Sequence, residues 1–326
     1  MRVTRGRTLV VGDWPELPER TALVEAAGAV LAWDVLVDGP PAARVDDPER
    51  AADWLWEVYG DAAADVLGGA DEVDVPVGGD LPVRDACRVL AQLTWARAWW
   101  PASATAGVPA LDPVLLAAER AVATSAAEHL LDDPDATARA VAEVVGDVPD
   151  PGLALRVAEL AEDSGVVRDP APTRSSYALA AGGTGPRAGV TVLSGQSPVD
   201  WALVPQGAVD AAAPAEWAVV RRQGGTFLDV TVVGGPGRTR LAARFAGVDV
   251  PLDSTDDLGR VTGSAPVPAS LLLLPPDRRV PVVYAPGFAE PVPPAPDAEE
   301  RRAAILAYAR SRAGSPTATL TERAAR

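Results

Sequence analysis

The sequence predicts an α+β protein in which a mainly helical N-terminal domain is followed by an antiparallel β-sandwich and a C-terminal helix. Three observations lead there. Asp-Pro steps punctuate the first half, each placing an N-capping carboxylate ahead of a proline at the first helical position, where its missing N–H costs nothing. From about Pro170 the texture changes to short apolar runs separated by Gly, Pro and Asp. A proline-rich stretch then leads to one last segment with helix-start signals. The expected divisions are 1–169, 170–285 and 286–326.

In the first domain, helices are expected at Pro18 to Ala27 (closed by Gly28), Ala51 to Leu67, Val83 to Trp100, Val114 to Leu131, Ala136 to Val145 and Leu153 to Ala161. Asp47-Pro48, Asp112-Pro113 and Asp133-Pro134 open three of them. Thr8–Val11 and Trp33–Val37 are candidate strands, so the bundle carries a small sheet at one end. In the second domain the candidate strands are Tyr177–Ala181, Val190–Leu193, Asp200–Val204, Trp217–Arg221, Phe227–Val233, Arg240–Phe245, Leu271–Leu274 and Val280–Tyr284. Gly234-Gly235-Pro236-Gly237 reads as a hairpin turn, and strands at this spacing suggest a sandwich. Pro286 to Pro296, with five prolines in eleven residues, should be an extended arm. The helix it delivers is capped by Asp297 with Glu300 three residues on. Gly314 stops it, and Ser315 to Arg326 is expected to fray.

Composition excludes much chemistry. The 326 residues carry a net charge of −16, no lysine, no asparagine, one isoleucine (Ile305), one cysteine (Cys87) and one histidine (His129). Missing AT-rich codons point to a very GC-rich bacterial genome of the actinobacterial sort; salt adaptation would also favour acidity and low lysine but does not explain the missing asparagine. Without lysine there is no Schiff base, no pyridoxal-phosphate anchor and no phosphate-loop lysine. One cysteine and one histidine cannot make an intrachain disulfide, a cysteine-based zinc site or a multi-histidine metal site. No cofactor and no metal is therefore expected. The acidity opposes nucleic acid, no apolar run reaches a membrane-spanning length, and Leu9-Val10-Val11 is too short for a signal peptide, so the chain is expected in the cytoplasm.

The remaining constellations read structurally. Cys87 among Ala, Val and Leu reads as a small buried hydrophobe, and His129 as a helix-terminal residue; a Cys–His dyad needs them to meet in space. Asp253, Asp256 and Asp257 before Gly259 suggest a calcium loop, but Ser264 stands where a bidentate Glu belongs, and an acidic turn fits better. Asp163-Ser164-Gly165 matches the aspartic-protease triplet in letters, yet it follows a helical run and has no second copy. Gly182 to Arg187 has no helix behind it to aim N–H groups at a phosphate, and Ser197 lacks the second glycine of a nucleophile elbow. The nine tryptophans read first as core filling in a chain poor in Ile, Phe and Met, then as interface, then as ligand pocket.

Thr255-Asp256-Asp257-Leu258-Gly259-Arg260-Val261, leading to Val267-Pro268-Ala269-Ser270 and Leu271–Leu274, resembles the final strands of transthyretin-like or carboxypeptidase-regulatory-like sandwich modules. Ala269-Ser270 stands where those modules usually carry a glycine. The resemblance covers about twenty residues. It implies a non-catalytic sandwich used for packing or binding.

These readings converge on a cytoplasmic, non-catalytic protein-interaction or scaffold component of a bacterial multi-protein system, partnered by another protein or by itself. Its candidate interface residues are Trp95, Trp99, Ile305, Leu306 and Tyr308. Two alternatives stand beside it: a hydrolase running on carboxylates at the domain junction, and a small-ligand binding module using the tryptophans.

Overall fold

The computed structural model describes residues 1–76, 80–167, 189–237, 239–256, 258–275, 278–292 and 295–325. It is an α+β protein with antiparallel sheets. The chain divides into two compact units, one formed by Met1–Ala98, Leu111–Arg174 and Arg312–Arg326, the other by Trp99–Ala110 and Ser175–Ser311. Tyr177–Ala181 and the Gly182 to Arg187 run lie outside the described residues.

The first unit opens on a five-stranded sheet, so helices alone do not describe it. Its strands are β1 (Val3–Arg5), β2 (Leu9–Val11), β3 (Thr21–Ala26), β4 (Ala29–Asp34) and β5 (Ala42–Val45), in the order β1-β2-β5-β4-β3. The helix expected at Pro18 to Ala27 is instead a 3-10 turn, Pro18–Arg20, followed by β3. The reason is period: Ala22, Val24 and Ala26 are buried while Leu23 and Glu25 face out, an alternation only a strand satisfies. Gly28 closes no helix. It takes φ 77° in the Ala27-Gly28 turn between β3 and β4, and a Cβ there would stand 2.5 Å from the Asp47 carbonyl oxygen.

Helices follow: α1 (Pro48–Ala52), α2 (Leu55–Tyr59), α3 (Ala62–Gly68), α4 (Pro82–Trp99), α5 (Pro113–Ala127), α6 (Ala136–Ala142) and α7 (Pro151–Asp163). The Asp-Pro rule holds at the atomic level. Asp47 accepts from the Glu49 and Arg50 amides at 3.2 Å, Asp112 from Val114 and Leu115 at 2.9 and 2.8 Å, and Asp150 from Leu153 at 2.7 Å. Asp133 instead accepts from Asp135 and makes a turn ahead of α6. The single helix expected over Ala51 to Leu67 is three short ones, α2 being ended by Gly60 at φ 61°. Leu115, Ala118, Val141, Val144, Leu153 and Val157 close a core among α5, α6 and α7.

Residues 315–325, expected to fray, are held in place. Thr319 and Glu322 form a reciprocal capping box at the head of the helix Leu320–Ala324. Glu322 is 2% exposed, and its carboxylate also accepts from Arg312 Nε and Nη2 at 2.9 and 2.7 Å and from Gln92 Nε2 at 2.9 Å. Glu119 of α5 accepts from the Leu320 and Thr321 amides and the Thr321 hydroxyl at 2.7 to 2.8 Å. Two carboxylates thus hold the terminal turn that propensity alone would leave open.

The second unit holds β6 (Val190–Ser197), β7 (Ala215–Arg222), β8 (Gly225–Val233), β9 (Leu241–Phe245), β10 (Val248–Leu252), β11 (Ser254–Thr255), β12 (Arg260–Pro266) and β13 (Val282–Tyr284). They form one sheet in the order β11-β12-β8-β7-β6 and another in the order β10-β9-β13. Trp217, Leu228, Val230 and Val232 from the first share a core with Phe245, Val250, Leu252 and Val283 from the second. The glycine run Gly234 to Gly237 is no hairpin, because β8 and β9 belong to different sheets. It packs backbone on backbone: a Cβ at Gly235 would lie 2.2 Å from the Gly207 carbonyl oxygen. Asp200–Val204 and Leu271–Leu274, expected as strands, are 3-10 turns over Trp201–Leu203 and Ala269–Leu273. In the second case Val267 makes a last ladder bond to Thr226, and Pro268 has no N–H to extend it. The acidic turn does form: Asp256 accepts from the Leu258 and Arg260 amides at 3.0 and 2.9 Å and pairs with the Arg260 guanidinium. Strand β12 ends at Pro266, and a 3-10 turn follows Pro268 in place of the expected further strand. Beyond it the helix α8 (Ala298–Arg312) ends the arm.

Asp210 is the corresponding anchor of this unit. It is 4% exposed and accepts from Ser103 Oγ at 2.7 Å, the Thr105 amide and hydroxyl, and the Ala212 and Ala213 amides at 3.0 Å. Burial pushes its pKa up, but the hydrogen bonds outweigh it and hold the carboxyl below the usual range. Asp210→Ala should lower unfolding stability by about 2–3 kcal/mol, read as a shift in the urea midpoint. A folded pKa below the unfolded value of about 3.9 stabilises above that value and fades as pH falls. Asp210→Asn should accordingly differ most from the natural chain above about pH 5 and least near pH 2; a pH-independent difference would contradict this. Glu322→Ala, which removes the carboxylate that the buried Arg312 guanidinium meets through two nitrogens, should cost about 3 kcal/mol in the same assay.

Candidate functional site

The outer face of the first sheet carries a groove, and its origin is visible strand by strand. Ala32 of β4 lies directly opposite Ala42 of β5, so two small residues meet where neighbouring positions carry larger ones. Over this floor pass two loops. Asp13 to Leu17 forms one wall, with Trp14 and Pro15; Val37, Gly39 and Pro40 form the other. The groove has a volume of about 440 Å3 and is open to solvent.

Charge is unevenly disposed around it. At one end Arg20 donates through Nε to Asp34 at 3.2 Å and through a second nitrogen to the other carboxylate oxygen, a bidentate pair. Asp34 is further committed to the Leu36 amide at 3.0 Å. Asp13 and Glu16 are exposed on the rim and form no ion pair among the described residues. Beside the groove the Arg44 guanidinium lies 3.9 Å from the centroid of the half-buried Trp14 ring. The lining offers an apolar hollow, an aromatic ring and two uncommitted carboxylates.

A second hollow of about 390 Å3 lies on the β11-β12-β8-β7-β6 sheet of the second unit, around Ala218 and bordered by Ser194, Gln196, Glu216, Asp229 and Thr231. Its Asp229 is already bound at 2.9 and 3.0 Å by Arg222 and at 2.6 Å by Ser264. The polar groups there serve the sheet first.

No family model, no curated protein and no solved structure matches this chain. Among the described residues no helix is long and apolar enough to cross a membrane, and no three His, Cys, Asp or Glu side chains cluster as metal ligands would.

The residues singled out from the sequence fall differently. Trp95 is 2% exposed, its Nε1 donating to the Glu19 carbonyl at 2.9 Å, and Ile305 is wholly buried. Both are interior and present no free surface. Trp99, Leu306 and Tyr308 are half-buried. Trp95 and Trp99 share α4 one turn apart, and Ile305, Leu306 and Tyr308 share α8, but the groove uses none of them. Trp33, Trp54, Trp100 and Trp217 are buried as well, in line with core filling. Trp14 is the tryptophan that sequence reasoning overlooked. Its signal was local: Gly12-Asp13-Trp14-Pro15-Glu16, an aromatic in a turn-rich segment next to acids.

Cys87 and His129 do approach a common residue. His129 Nε2 lies 3.0 Å from Glu57 Oε1, and the same Glu57 charge bears on Cys87. Yet Cys87 is fully buried, and burial followed by Glu57 pushes its thiol up to about 12. Such a group stays protonated and inert at neutral pH. Asp163-Ser164-Gly165 ends α7, with Gly165 at φ 64°. Ellman's reagent at pH 8 should modify Cys87 in the folded chain on the order of a thousandfold more slowly than in urea-unfolded chain. Labelling of the folded chain at the rate of a free thiol would contradict the buried placement.

Proposed function

We propose that this chain is a cytoplasmic, non-catalytic protein-interaction component of a bacterial multi-protein system, and that the groove on its first sheet takes the partner. The observation that carries the reading is the groove itself: an apolar floor of Ala32 and Ala42, walls of Trp14, Pro15, Val37 and Pro40, and rim carboxylates free to pair. Interfaces favour this layout, an apolar and aromatic centre within a polar rim. In this reading the working parts are a helix-rich segment over 1–169, a β-sandwich segment over 170–285, and the arm with its helix over 286–326. The sandwich acts in packing or binding, as its likeness to sandwich modules implies. A small-ligand module is the second reading, and Trp14 beside the groove is what favours it.

The test uses the full chain, because cutting the chain before α8 would remove the Arg312–Glu322 pair and the Leu320 and Thr321 donors that Glu119 holds. Affinity capture from a lysate of the native host should return a protein in near-stoichiometric amount that rebinds when purified. Ala32→Leu, which fills the floor, and Trp14→Ala, which removes a wall, should each weaken that rebinding at least about tenfold. Circular dichroism and the urea midpoint report whether each variant folds. A capture no richer than that of an unrelated acidic protein would overturn the proposal. Trp14-dependent binding of a small molecule in its place would establish the second reading.

A further inference from the structure

Taking the interaction reading as its basis, we propose that the groove recognises an arginine side chain of the partner protein. Three features of the site argue for this chemistry. The first is charge: the lining carries three carboxylates, Asp13, Glu16 and Asp34, against one guanidinium, Arg20. Arg20 is spent on Asp34, so Asp13 and Glu16 are left to attract a cation.

The second feature is shape. A hollow of about 440 Å3 floored by two alanines and walled by Val37 and Pro40 accepts the three-methylene stem of arginine with room for a neighbouring side chain. The strongly hydrated lysine ammonium gains less from such walls, and it lacks the planar fork that meets carboxylates two bonds at a time.

The third feature is an internal stand-in. The chain's own Arg44 already lies over the Trp14 ring at 3.9 Å, which shows that the ring accepts a guanidinium in this setting. Arg44 is exposed and forms no ion pair among the described residues, so nothing but the ring holds its head group. The partner's guanidinium would compete with Arg44 for Trp14 and with water for Asp13 and Glu16. Arg44 is thus a built-in competitor that sets how strong an incoming arginine must be.

The test is fluorescence anisotropy of the full chain with a labelled short peptide of alanine, proline and serine carrying two arginines. Matched peptides carry lysine or the neutral isostere citrulline in their place. The arginine peptide should bind, the lysine peptide about fivefold more weakly, and the citrulline peptide at least about tenfold more weakly. Asp13→Asn combined with Glu16→Gln, both exposed and safe for folding, should weaken the arginine peptide about tenfold. Arg44→Gln should strengthen it, whereas Arg156→Gln, an equal loss of charge on the exposed side of α7, should not. Equal binding of the arginine and citrulline peptides, or a double variant that binds as the natural chain does, would overturn the inference. So would free L-arginine competing as well as the peptide, since the site would then serve a small molecule. If a captured partner depends on Ala32 and Trp14 while the arginine peptide fails to bind, this inference alone falls. If no partner is captured, the interaction reading falls with it.

Discussion

A carboxylate withdrawn from water must be met by donors, and both units of this protein are organised around that requirement. Glu322 in the first unit and Asp210 in the second are almost fully buried, and each collects donors from segments far apart in the chain. Glu322 gathers α4, the end of α8 and its own helix start. Asp210 gathers the loop after α4 and its own turn. Every hydrogen bond made there removes a group that would otherwise be buried and unsatisfied, which costs more than the bond itself contributes. Losing the central acid would therefore release several donors together.

The absence of lysine bears on the same networks. All side-chain cations other than a protonated histidine are arginines, and arginine tolerates partial burial because its charge is spread over a planar fork. Arg312 on Glu322, Arg222 on Asp229 and Arg20 on Asp34 use that fork bidentately. Arg222 also stacks on Phe227 at 4.4 Å, as Arg44 does on Trp14. The absence of lysine in this way sets the kind of ion pair from which the fold is built.

The groove shows how function-bearing geometry can rest on the smallest side chains. A leucine at Ala32 or Ala42 would crowd a nearly closed floor, because both residues are buried and directly opposed across β4 and β5. The loops over this floor bring Trp14, Asp13 and Glu16 together because Gly12, at φ 73°, turns the chain after β2. The three sheets and both hollows are products of strand pairing between residues that local pattern treats as interchangeable.

Much was legible from the chain alone where the determinant is local. Aspartate before proline marks the starts of α1 and α5 because capping and a fixed φ act within three residues. The acidic turn at Asp256 and the burial expected of a cysteine among aliphatics rest on similarly short reach. What the tertiary structure decided was set by partners distant in sequence. Thr21–Ala26 is a strand because β4 pairs with it, Gly234 to Gly237 is a crossover because β9 joins another sheet, and the C-terminal turn is ordered because Glu119 and Gln92 meet it from two other helices. Trp95 and Ile305 are interior for the same reason: burial is a property of what packs around a side chain, and a sequence states only what the side chain would gain by it.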